Sequence, residues 1–116
     1  MLQYDMDTRR FKRLIVNIQA ELLSVDKRLS VFIENLSAEG LYVIAPVNSS
    51  FNFIINMPVE VKFKFPAGEK LNLYCLVKWA YKTPPHGLTH SVGLTIIDPP
   101  LTYIETLQTL QSIVSS

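Results

Sequence analysis

The sequence predicts an all-β domain closed by one C-terminal helix. Apolar residues alternate with a period of two along most of the chain, and short polar turns interrupt the alternation at close intervals. The period becomes helical only after Asp98-Pro99-Pro100. Six strand-like runs joined mostly by turns indicate an antiparallel barrel or sandwich.

The first strand is Leu14 to Leu23. Leu14, Val16, Ile18, Ala20 and Leu22 share one face, and Asn17, Gln19 and Glu21 fall on the other, as in a half-buried strand. A charged turn at Asp26-Lys27-Arg28 leads to a second strand, Leu29 to Glu34. The polar segment Asn35-Leu36-Ser37-Ala38-Glu39-Gly40 then turns the chain into a third, Leu41 to Ala45. Residues 46–57 are less regular and read as a loop with a short apolar segment. Pro58 to Phe65 alternates most clearly, with Val59, Val61, Phe63 and Phe65 opposite Glu60, Lys62 and Lys64. After a Pro66-Ala67-Gly68-Glu69 turn, Leu71 to Lys82 places Leu73, Cys75, Val77, Trp79 and Tyr81 on one face. Trp79 therefore reads as a core anchor, with a place beside a ligand as the alternative. Thr83-Pro84-Pro85-His86-Gly87 breaks that strand, and Leu88 to Ile97 is the sixth.

Asp98 is suited to cap a helix, with proline in its first turn. Leu101, Ile104, Leu107, Leu110 and Val114 recur at helical spacing. They predict one amphipathic helix of about four turns, over about 99–114, that packs on the barrel or on another subunit.

With 116 residues, 48% hydrophobic and 18% charged, the chain makes one domain with a real core. A formal net charge of +1 argues against a nucleic acid polymer as partner. The basic residues are instead concentrated, four of them within Arg9 to Arg13, which suits a compact anion. The single cysteine, Cys75, cannot form an internal disulfide and reads as a small packing residue in a reducing compartment. No run approaches the ~20 apolar residues of a membrane span. The N-terminus lacks a signal-peptide pattern, so a cytoplasmic protein is expected. His86 and His90 are too isolated for a metal site. Asp5, Asp7 and Glu105 form no acid/base pair, and no nucleophile motif occurs. Nothing in the sequence points to an enzyme.

Two short motifs carry the functional reading. Arg9-Arg10-Phe11-Lys12-Arg13 supplies forked guanidinium donors, and the Asn35–Gly40 segment supplies a side-chain amide, a hydroxyl and a glycine at a corner. An arginine fork can grip phosphate bidentately, pair with the O6/N7 edge of guanine, or stack on a base. Together the motifs suit a nucleotide. Their order and spacing resemble the PilZ domain, whose pattern is RxxxR followed by (D/N)xSxxG. Arg9 and Arg13 fall on the two arginines, and Asn35, Ser37 and Gly40 on the second motif.

The resemblance implies a six-stranded antiparallel β-barrel of split-barrel type that binds the bacterial second messenger cyclic di-GMP without a cofactor. It implies a flexible arm over 1–13 and a single barrel-plus-helix domain over 14–116. Arg9, Arg13, Asn35, Ser37 and Gly40 would bind the ligand, with Thr8 and Arg10 in support and Lys12 adding charge. Ser37 would donate to a phosphate or cap the turn, and Gly40 would permit a positive φ or close approach of the ligand. Asn35 stands where many family members carry Asp, which removes a charge and keeps an acceptor. An arginine just before RxxxR favours an intercalated ligand pair. Thr8 occupies that place, so one ligand per chain is expected. The receptor would act through a protein effector, as a monomer or a homodimer. The second reading is a PilZ-like barrel that binds no nucleotide and serves protein–protein contacts. Its docking patch would be the apolar Phe51, Phe53, Ile54 and Ile55.

Overall fold

A computed structural model describes residues 13–48, 51–66 and 68–115. Six strands, β1 (Leu14–Ser24), β2 (Lys27–Leu36), β3 (Gly40–Pro46), β4 (Pro58–Lys64), β5 (Lys70–Lys82) and β6 (Thr89–Ile96), precede the helix α1 (Leu101–Ser115). Every strand pairing is antiparallel, and the order β1-β2-β3-β6-β5-β4 closes on itself as β4 pairs with β1. The alternation read from the sequence fills the interior. Leu22, Val31, Ile33, Val43, Val61, Leu73, Val77 and Val92 are all fully buried. Cys75 is buried among them, and that burial pushes its thiol pKa up to about 12, so the thiol stays protonated.

The strands depart from strict alternation at bulges. In β2 the register shifts between Ile33 and Asn35, so Glu34 is the extra residue and Leu36 returns to the interior. The strand therefore runs through Asn35, which the sequence assigned to the turn. In β5 the register shifts between Val77 and Trp79. Beyond that bulge the parity reverses. Ala80 packs against the core, whereas Trp79 and Tyr81 face outward. The expectation of Trp79 as a core anchor is corrected for this reason.

The β1–β2 turn is tighter than the charge pattern suggested. Val25 and Asp26 form it alone, with Val25 at a φ of 53°. Lys27 and Arg28 belong to β2, where Arg28 reaches Glu21 across the ladder at 3.4 Å. Both of those side chains are largely in water, so the pair adds little stability. In the loop before β4, Phe51 is buried against Phe53, their rings 5.2 Å apart. Only Ile54 and Ile55 of the expected docking patch are exposed.

Strand registers put the start of β1, the β2–β3 and β4–β5 turns and the end of β6 at one end of the barrel. Helix α1 seats there. The Pro100 carbonyl accepts the first helical hydrogen bond, from Ile104 N–H at 3.1 Å. Pro100 thus holds the N-cap position and Asp98, at a φ of 48°, lies ahead of it and is not the cap. The buried stripe is also rotated from the expected one. Leu101 is exposed, while Tyr103 and Leu107 are buried and Ile104 and Leu110 are partly so. Tyr103 is drawn inward because its ring stacks on Phe65 and its hydroxyl finds a buried acceptor. The Val114 side chain lies outside the described residues. Thr106 donates to the Glu69 carboxylate at 2.7 Å, which ties α1 to the β4–β5 turn. Among the described residues no helix is long and apolar enough to cross a membrane.

Candidate functional site

The β2–β3 turn is built around Ser37. Its N–H donates to the Gly40 carbonyl at 2.9 Å, and its Oγ accepts from Gly40 N–H at 3.2 Å and Glu39 N–H at 3.4 Å. The hydroxyl is thereby engaged as the cap of the turn. Gly40 is needed for a different reason from a positive φ. A Cβ at this position would stand 2.7 Å from the Leu94 carbonyl oxygen, so glycine lets β3 approach β6 closely. The Glu39 carbonyl accepts from Ile96 N–H at 2.9 Å and pins the turn to β6. The corner is thus braced both from within the turn and by β6.

The bulges then align one transverse row on the outer wall. Asn35 pairs with Tyr42, Tyr42 with Gly93, and Gly93 with Trp79 across four neighbouring strands. The Tyr42 and Trp79 rings meet edge-on at 5.3 Å, and Tyr81 stacks on Trp79 at 5.4 Å. The neighbouring Tyr42 phenol raises the Tyr81 pKa. A Cβ on residue 93 would fall 2.2 Å from the Trp79 ring, so glycine alone lets the indole lie against β6. Gly93→Ala is expected to drive the indole off β6 and to break the Tyr42 contact, at a cost of about 1 kcal/mol. Nuclear Overhauser contacts between the Tyr42 and Trp79 rings should vanish in this variant.

This row forms the floor of an open cleft of about 300 Å³. Asn35, Ser37 and Gly40 line it, and Arg13, exposed beside the first residue of β1, borders it as well. The expected residues Thr8, Arg9 and Arg10, with Lys12 and the rest of the arm, lie outside the described residues. Sequence reasoning missed Tyr42, Lys78 and Gly93 and misassigned Trp79, all of which line the same cleft. One signal was available. A glycine within an apolar strand such as Ser91-Val92-Gly93-Leu94 marks a close approach of another group. Lys78, the extra residue of the β5 bulge, is exposed beside Trp79, and Glu39 adds one carboxylate to the rim. The cleft offers cations, an amide and aromatic faces, the groups that hold a phosphate and stack a base. Among the described residues no cluster of His, Cys, Asp and Glu could hold a metal ion.

A closed barrel with a basic, amide- and aromatic-lined cleft on its outer wall defines a small binding domain. The family model for the PilZ domain matches residues 7–111, and the chain belongs to that family. No curated protein sequence matches it significantly. Among solved structures, the Bacillus subtilis inhibitor of motility (MotI/DgrA) superposes with a TM-score of 0.77 at 11% identity, over 95% of this chain and 53% of that one. Escherichia coli YcgR in complex with c-di-GMP gives 0.73 at 11% identity, over 93% and 46%. The PilZ domain of that YcgR with c-di-GMP gives 0.69 at 12% identity, over 90% and 88%. The chain thus spans about half the length of the first two structures. At these identities the likeness is one of fold.

Proposed function

We propose that this chain is a cytoplasmic cyclic di-GMP receptor whose arginine arm closes on the ligand and remodels a surface read by a protein effector. The observation that carries the reading is the transverse row. Asn35, Tyr42, Gly93 and Trp79 share one cleft with Arg13 at its margin. Arg9 and Arg13 grip the phosphates and guanine edges, with Thr8 and Arg10 in support. Asn35 offers its amide to a base edge, and Ser37 and Gly40 hold the corner against which the ligand rests. The Trp79 indole supplies a stacking face, and Lys78 supplies a cation that lines the same cleft as Arg13. Neutralisation of the like charges within Arg9 to Arg13 by the dinucleotide favours closure of the arm on it.

Calorimetry tests this directly. Cyclic di-GMP should bind and saturate at one equivalent per chain, because Thr8 adds no further guanidinium to hold an intercalated pair. Cyclic di-AMP should bind at least ~10-fold more weakly, since adenine presents a donor where guanine presents O6. Equal titrations of the two dinucleotides would mean that phosphates alone are read. An absence of heat with cyclic di-GMP would favour the protein-contact reading, for which exposed Ile54 and Ile55 provide a surface.

A further inference from the structure

We infer that Tyr103 is a positioning residue of the cleft, and that its hydroxyl, by holding the Ser37 carbonyl, makes the seating of α1 and the geometry of the β2–β3 turn one linked event. The inference rests on the cleft being the binding site. The Ser37 side chain and N–H are already committed within the turn. Its carbonyl is met from outside the turn, by the Tyr103 hydroxyl at 2.5 Å, from a residue 66 positions away in sequence. Tyr103 has no exposed surface, and its ring lies 6.3 Å from that of Phe65 at an interplanar angle of 17°. The donor therefore cannot swing aside without unseating the helix. Burial, followed by the neighbouring Cys75, raises its pKa, so the phenol remains a donor. Removing only the hydroxyl would strand a buried carbonyl. The Ser37 Oγ that accepts from Glu39 and Gly40 N–H would then sit on a loosened backbone. Linkage is reciprocal: a ligand that needs the ordered turn also favours the docked helix.

Two variants separate positioning from general destabilisation. Tyr103→Phe keeps the stacked ring, and Val61→Ala thins the core on β4, away from the cleft. Without ligand, hydrogen exchange over residues 37–40 should accelerate in Tyr103→Phe relative to Val61→Ala. Affinity for cyclic di-GMP, measured by calorimetry, should fall roughly 3- to 10-fold in Tyr103→Phe only. In the native protein the ligand should slow exchange in α1. Native exchange over 37–40 in Tyr103→Phe, or an equal change in both variants, would overturn the inference. The ligand-free exchange decides this even if the native protein gives no heat with cyclic di-GMP, a result that would sink only the ligand assignment.

Discussion

Alanine at both Arg9 and Arg13 is expected to lower the affinity for cyclic di-GMP by ~100-fold or more. A charge-assisted hydrogen bond contributes roughly 1.5–3 kcal/mol, so each lost guanidinium should account for at least ~10-fold. At Arg13 the loss would be confined to binding. Its side chain is exposed, and the core begins only with Leu14, which pairs with Leu36. Unfolding by denaturant should therefore give the same midpoint for Arg13→Ala and the native protein. Arg13→Lys is a sharper probe, because it keeps the charge and loses the planar fork. It should recover only a small part of the lost affinity. Added salt should weaken native binding and flatten the difference among variants, since part of the attraction is screened. Native affinity in the double variant would remove the arm from the site.

The largest effect on stability is expected at Phe65. Phe65→Ala should cost about 3–5 kcal/mol in chemical denaturation, the range for truncating a buried aromatic. The ring is almost wholly buried and touches two others, Phe63 at 5.3 Å and Tyr103. It sits where the barrel end meets α1, so the cavity would open beneath the helix. Amides of α1 should then exchange before those of β1 or β5, because the helix is held at its buried stripe by Tyr103 and Leu107. A loss under about 1 kcal/mol would mean that the end of the barrel collapses around the void.

The sequence disclosed the elements better than their local geometry. β4 could be read residue by residue, because its alternation is unbroken and buries one face; β1 also alternates in burial, although its pairing with β2 slips between Ile15 and Ile18. The bulges could not. An extra residue at Glu34 or Lys78 carries no compositional mark, yet each reverses which side chains meet the interior. The aromatic wall at Trp79 and Tyr81 was hidden for that reason. The RxxxR and NxSxxG patterns identified Arg13, Asn35, Ser37 and Gly40, which the fold gathers in one cleft. They left two roles open for Ser37, phosphate donor or cap of the turn, and did not disclose what Gly40 does. The hydroxyl braces the turn through local bonds from Glu39 and Gly40 N–H, whereas the missing Cβ admits a neighbouring strand, a consequence of tertiary pairing that no local pattern encodes. Tyr103 escaped notice because helical periodicity ranks Leu101 above a tyrosine, and only a buried carbonyl partner reverses that order.

The position of Trp79 has a practical corollary. It is the sole tryptophan of the chain, and it lies between Tyr42 and Tyr81 on the floor of the cleft. Ultraviolet emission excited at the indole therefore originates from a single place, within reach of anything that settles there. A stacked purine would quench it, and withdrawal of water from the partly buried ring would shift its colour toward the blue. The indole is thus a built-in optical test of the proposed site: on that reading, arrival of cyclic di-GMP should be observable by stopped flow without a label.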